Sequence, residues 1–226
     1  MNATRQLVIA IDGPAGSGKS TIAARLAQKL GYVNLESGAM YRAMALKALE
    51  QQVSVEDAEA LRRLADSTVI QLEPVADGNR VLLDGRNVSQ RIREADVTLA
   101  ASRVSMHPSV REVMVARQRE MGANGGVVME GRDIGTAVFP HADVKVFLDA
   151  DARIRAERRV SQNGTHTHEE AQRIVEDLVL RDQRDRTRAV SPLAPASDAI
   201  IIDSTNLSID EVVSRVEQIV LLKLET

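Results

Sequence analysis

The chain has 226 residues, with no Cys, no Trp, two Phe, two Tyr and a formal net charge of −3. That length suits one α/β domain with elaborations, and the acidic balance and scarcity of aromatic rings exclude a surface that coats nucleic acid or stacks bases. Lack of cysteine excludes disulfides, zinc–thiolate sites and a catalytic thiol, no apolar run approaches membrane-spanning length, and a cytoplasmic protein without a signal peptide is expected.

Residues 7–11 are continuously apolar, as a strand buried on both faces of a parallel sheet is. Directly behind them stands Gly13-Pro14-Ala15-Gly16-Ser17-Gly18-Lys19-Ser20, and a helix is predicted at 19–30. The glycines let the backbone curl until several N–H groups point at phosphate oxygens. Lys19 is suited to the β- and γ-phosphates and the Ser20 hydroxyl to Mg²⁺. Strand before and helix after are the flanks this motif requires, so a nucleoside triphosphate is the expected ligand.

A weaker strand is predicted at 32–35. Glu36-Ser37-Gly38-Ala39-Met40-Tyr41-Arg42 follows it and opens a helix at 38–51. A Ser-Gly helix start with an Arg one turn on suits an anion, which Arg42 can fork; an ordinary cap with a solvated Arg is the alternative. A helix at 55–66 begins with the capping-box pattern Ser54-x-x-Asp57. Between 68 and 89 the rhythm changes to short strands separated by the turn signals Asp77-Gly78 and Asp84-Gly85, which predicts a small antiparallel insert. A helix at 109–121 and a strand at 127–129 follow. Gly131-Arg132-Asp133 then lies just past a strand's carboxyl end, where open α/β sheets bind ligands; a surface turn with a local ion pair is the alternative.

A strand at 144–148 leads to helices at 151–163 and 168–188, the second opening with Thr167-x-x-Glu170. Its end reads Arg181-Asp182-Gln183-Arg184-Asp185-Arg186-Thr187-Arg188. Helical spacing puts Arg181, Arg184 or Asp185, and Arg188 on one side. That is either a solvated charged face or the convergent arginines a phosphoryl-transfer site uses. Residues 191–197 are a Pro-interrupted loop, 199–202 a strand, and 209–224 a helix opening with Ser208-x-x-Glu211. His166 and His168 are expected to be solvated loop histidines rather than metal ligands. The β–α alternation predicts a three-layer α/β/α sandwich around a mostly parallel five-stranded sheet.

In order along the chain, the phosphate loop with Thr21, residues 37–42, Ala100-Ala101-Ser102, Val110-Arg111-Glu112, Glu130-Gly131-Arg132-Asp133-Ile134-Gly135-Thr136, residues 181–188, Pro192-Leu193 and Asp203-Ser204-Thr205 form a set that resembles the bacterial cytidylate kinases. These are a family of P-loop nucleoside-monophosphate kinases, and the likeness covers nearly the whole chain.

The resemblance implies transfer of the γ-phosphate of ATP to CMP or dCMP, with Mg²⁺, by a monomer acting on small nucleotides and on neither nucleic acid nor membrane. It implies one kinase domain with a monophosphate-binding insert at about 62–97 and a short lid at about 153–170. Because water competes for the γ-phosphate, the segments near 68–96 and 153–170 are expected to move toward the core when CMP binds. Residues 13–21 would hold ATP. Arg42 and Arg132 would fix the acceptor phosphate. Arg184 and Arg188, with Arg158 or Arg159 of the lid, would close over the transferred group. Asp133 would accept from the cytosine amine, with Arg111 and Ser102 on the rest of its edge, Asp185 and Arg181 on the sugar, and Ser37 and Tyr41 completing the acceptor site. The rival readings are a P-loop kinase for another acceptor, and an NTP-driven switch. No N-K-x-D guanine motif occurs, and residues 146–149 end in a single Asp.

Overall fold

The computed structural model describes residues 6–75, 78–162 and 167–225. In chain order the elements are β1 (Val8–Asp12), α1 (Lys19–Leu30), β2 (Val33–Glu36), α2 (Ser37–Glu50), α3 (Ala58–Ser67), β3 (Ile70–Val75), β4 (Gly78–Leu83), β5 (Arg86–Asn87), α4 (Ala95–Val104), α5 (Pro108–Met121), β6 (Val127–Gly131), β7 (Val144–Asp149), α6 (Ala152–Gln162), α7 (His168–Thr187), β8 (Ile200–Asp203) and α8 (Ile209–Leu224). The main sheet has five parallel strands in the order β2-β6-β1-β7-β8. Alternate residues of β1 face opposite layers. Ile9 and Ile11 pack with Ile22 and Leu26 of α1 and Val216 and Val220 of α8. Ala10 joins Leu35, Met129, Ile134 and Val138 on the other face.

A separate core gathers Met40, Met44, Leu61, Leu83, Ile92, Val97, Val104 and Met114. It joins α2–α5 to the insert, in which β3, β4 and β5 form the expected antiparallel sheet. Asp84 (φ 49°) and Gly85 (φ 80°) make the tight turn between β4 and β5; Asp77 of the other turn signal lies outside the described residues. The insert is tied to the main sheet through Asn79. Its amide donates to Asn34 O at 2.8 Å and its carbonyl oxygen accepts from Glu36 N at 3.1 Å.

Two local expectations fail. Ser54 does not cap a helix: α3 starts at Ala58, and Asp57 is its cap, accepting from Ala60 N at 2.9 Å. An aspartate one residue before the helix outcompetes a more distant serine for the free N–H groups. Helix α4 was not expected between the insert and residue 109. Its Val, Thr and Ser residues have modest helix propensity, and it forms because Val97, Ala100, Ala101 and Val104 bury one face in the second core. The Ser208–Glu211 capping box forms in full, and Thr167 accepts from Glu170 N. Residues 163–166 of the expected lid, His166 included, lie outside the described residues. Among the described residues no helix is long and apolar enough to cross a membrane.

Candidate active site

The carboxyl ends of the strands gather acids at one sheet edge: Asp12, Glu36, Glu130, Asp149 and Asp203. Parallel register sets Glu36 opposite Glu130, and Ile11, next to Asp12, opposite Glu130 as well. The phosphate loop leaves this edge after β1. Gly13 (φ 147°) passes so close to β7 that a Cβ would stand 2.0 Å from Leu148 O, and a Cβ on Gly16 (φ 77°) would stand 2.8 Å from Arg155 O. Only glycine fits either place. The Ser17 hydroxyl and Lys19 Nζ both donate to Pro14 O, at 3.0 and 2.7 Å. Burial, reinforced by Arg132 and Arg181, depresses the Lys19 amine to about 7. Ser20 Oγ donates to Glu130 Oε1 at 3.0 Å; burial pushes the Glu130 carboxyl up, and Lys19 opposes that. A hydroxyl beside a carboxylate is a hard-oxygen donor set of the kind Mg²⁺ takes.

The loop tip is tied to the helices beyond β7. Arg155 of α6 pairs with Asp182 of α7 and donates to Ala15 O and Ala150 O, both at 3.0 Å. Asp182 Oδ1 accepts from Ala15 N at 3.3 Å.

On the β2–β6 side, cations crowd together. Arg42 pairs with Glu36, and Arg93 Nη2 stands 3.9 Å from the other Glu36 oxygen. Burial works against the Glu36 carboxylate, but these arginines outweigh it and hold its pKa below the usual range. Arg132 Nε donates to Asp185 Oδ2 at 2.8 Å. Burial and the charge of Arg132 bring Arg181 down to about 10, with Arg42 and Arg159 acting in the same direction. Burial also lowers Arg159, helped by Arg42 and Arg93. Five guanidinium groups thus share one field balanced chiefly by Glu36 and Asp185, which is a site prepared for a dianion.

Deeper, Asp133 is flanked by two arginines. Arg111 Nη2 donates to Oδ2, and Arg188 Nη2 lies 3.2 Å from Oδ1. Arg111 also stands 5.6 Å above the Tyr41 ring, close enough for a cation–π contact. Burial pushes the Tyr41 hydroxyl up to about 12. Ser37 Oγ donates to Glu130 O at 2.8 Å, and Ser102 Oγ accepts from Arg184 Nη1 at 3.4 Å. Tyr41 OH, Arg42 Nε and Arg111 Nε are buried without a hydrogen-bond partner among the described residues. Unsatisfied polar atoms in one neighbourhood mark a place that a polar ligand completes.

The sequence model of the cytidylate kinase family matches residues 9–221. The chain belongs to the cytidylate kinase family. Cytidylate kinase from Anoxybacillus flavithermus is 50% identical over 222 residues, covering 98% of this chain and 99% of that one. The Enterococcus faecalis cytidylate kinase is 48% identical over 218 residues, 95% of this chain and 96% of its own. That of Pasteurella multocida is 46% identical over 214 residues, 94% of each chain. The chain is therefore an enzyme of the nucleoside-monophosphate kinase kind.

Within this kinase, the expected residues fall into separate groups. Thr21 stands half-buried in the first turn of α1. Of the two arginines expected in the lid, both on α6, Arg158 donates to Ser204 Oγ at 3.2 Å and Ser204 O at 2.7 Å, whereas Arg159 feels the charges of Arg42 and Arg93. Arg184 and Arg188, expected over the transferred group, stand at Ser102 and Asp133. The reason lies in α7: Arg181 to Arg188 spans about two turns, so one helix face serves several places in turn. Sequence reasoning gave no role to Asp12, Glu36, Arg93, Glu130, Arg155 or Asp182. For Asp12, Glu36 and Glu130 the available signal was an acid at or near the end of each predicted strand; Arg93, Arg155 and Asp182 carried none.

Proposed function

We propose that this kinase transfers the γ-phosphate of ATP to CMP or dCMP, releasing ADP and CDP or dCDP. One observation carries the choice of base in a chain of this family: the buried Asp133 carboxylate between Arg111 and Arg188. An acceptor flanked by donors complements cytosine, whose edge offers an amine beside a ring nitrogen and a carbonyl. Ser102, Tyr41 and Ser37 line the same site, and Asp185 with Arg181 takes the sugar hydroxyls.

Gly13 to Thr21 hold the donor phosphates through backbone N–H groups, and Lys19 moves from Pro14 O to the β- and γ-oxygens. Ser20, with Glu130 orienting it, holds Mg²⁺, which supplies charge neutralisation across those phosphates when bound. Arg42 and Arg132 fix the acceptor phosphate, with Arg159 and Arg181 adding to the field. In this reading, incoming phosphate takes over guanidinium groups that Glu36 and Asp185 hold in its absence. The acceptor oxygen is already ionised at neutral pH, so positioning and charge stabilisation suffice without a general base. One kinase domain, with the insert at about 62–97 and the lid at about 153–170 closing over both nucleotides, excludes water as a competing acceptor. We assign it to the cytoplasm as a monomer; its cysteine-free composition suits a reducing compartment.

The test is ADP release from ATP and Mg²⁺ with CMP, dCMP, UMP, AMP or GMP offered separately, and with no acceptor. Turnover dependent on CMP and dCMP, weak with the others, is the expected outcome. Equal ADP release without any acceptor overturns the reading in favour of an ATP-driven switch.

A further inference from the structure

Asp133 stands directly before the short helical turn Ile134–Val138. There an aspartate ordinarily turns its carboxylate back to accept the first free N–H groups. Asp133 makes no such bond, since its oxygens face Arg111 and Arg188. The Gly135 N–H that it leaves, and the Ile134 N–H before it, are taken by a residue 121 positions before Asp133. Asp12, the last residue of β1, accepts from Ile134 N at 2.8 Å with one oxygen and from Gly135 N at 2.7 Å with the other. Its side chain is buried, at 4% exposure. Both N–H groups belong to buried residues at the start of the turn.

We propose that Asp12 is a positioning residue for base selection: it caps the turn from outside, so that the Asp133 carboxylate stays free to accept from the cytosine amine. The proposal rests on the assignment of Asp133 to base readout. Without Asp12, two buried N–H groups lose their acceptor. For the Gly135 N–H the adjacent Asp133 carboxylate is the capping acceptor, and capping draws it away from the base. Rejection of UMP depends on holding a carboxylate rigidly against the position where uracil carries an oxygen, so discrimination falls when that carboxylate swings. Two backbone donors keep Asp12 suited to an ionised carboxylate despite its burial and the nearby charge of Asp133, which together raise its pKa to about 6.

The experiment measures kcat/KM for CMP and for UMP with Asp12→Asn, Asp133→Asn and the double variant, each pair on one preparation. The CMP-to-UMP ratio cancels any loss of folded enzyme, which a purely structural role would cause. Asp133→Asn is expected to lower the ratio ~10–100-fold. Asp12→Asn is expected to lower it about fivefold or more, with little further loss in the double variant, because both changes act through one carboxylate. Asp12→Glu keeps the charge but displaces both oxygens by one methylene, also lowers the ratio, and serves as the test if Asp12→Asn does not fold. An unchanged ratio in Asp12→Asn, or in Asp12→Glu where that variant stands in, beside a lost ratio in Asp133→Asn overturns the proposal and leaves the base assignment standing. An unchanged ratio in Asp133→Asn overturns the base assignment and the proposal with it.

Discussion

The proposed donor and acceptor sides of this site are made of different material. At the phosphate loop the groups offered to a ligand are backbone N–H dipoles, held by glycine dihedrals and the start of α1, with Lys19 folded onto Pro14 O. On the acceptor side they are guanidinium groups from separate elements, balanced by Glu36 and Asp185. A curled backbone keeps its shape whether or not a phosphate is present. Buried arginines do not tolerate one another without counter-charge, so the acceptor side carries carboxylates where the ligand's charge will act. On the proposed assignment, donor binding would add charge to a preformed cradle, whereas acceptor binding would exchange one anionic partner for another.

Lys19→Met tests the division most severely. Loss of a charged donor to the transferred group is expected to lower kcat by ~10²–10³-fold, with KM for CMP within about twofold of the unmodified enzyme. An equal rise in KM for CMP would break the separation between the two sides. Arg132→Gln tests the other side, because it leaves the buried Asp185 without its closest partner. A stability loss of about 3 kcal/mol is expected, a fall in Tm of about 6–12 °C by calorimetry. Adding Asp185→Asn should restore most of the Tm but not the turnover of CMP.

A smaller effect concerns protons. The Lys19 amine is depressed from 10.5 to about 7 in the free protein, so the unfolded chain binds more protons between those values. Through Lys19, stability therefore rises with pH across that window and is flat below it. Triphosphate binding draws the pKa back up, so at pH 8 ATP binding takes up close to one proton and at pH 6 almost none. Titration calorimetry in buffers of different ionisation enthalpy reads this directly, and ATP affinity falls above pH 7 by at most ~1.4 kcal/mol per unit. Proton uptake that persists in Lys19→Met would assign it elsewhere. The smallest effect is expected at Ser208→Ala, which removes the cap of α8. It should cost about 1 kcal/mol, about 2–4 °C in Tm, with both KM values unchanged.

The same contrast governs what was legible beforehand. The phosphate loop is a contiguous string whose dihedral demands and flanking periodicity are local, and the insert announced itself through Asp84-Gly85 between short strands. Arg132 and Asp133 were legible as a pair past a strand end, and Arg181 to Arg188 as one helical face. Helix α4 was not, because its formation depends on burying Val97 and Val104 in a core whose other walls lie elsewhere in the chain. Nor was the division of labour along α7. Arg184 reaches Ser102 and Arg188 reaches Asp133 because α4, β6 and α7 converge there.

By itself, then, the amino-acid sequence determined the elements other than α4, the layered α/β class, the phosphate-loop motif and the kinds of residue available for a nucleotide. Those follow from backbone dihedrals and from periods of two and 3.6 residues, which act over a few positions. Tertiary structure decided the partners: Asp12 on the turn after Asp133, Glu36 on Arg42, Arg155 with Asp182 on Ala15. Such pairings depend on parallel register and helix packing between segments far apart in the chain, and charge and hydrogen bonding act between whatever groups that packing brings within a few ångströms.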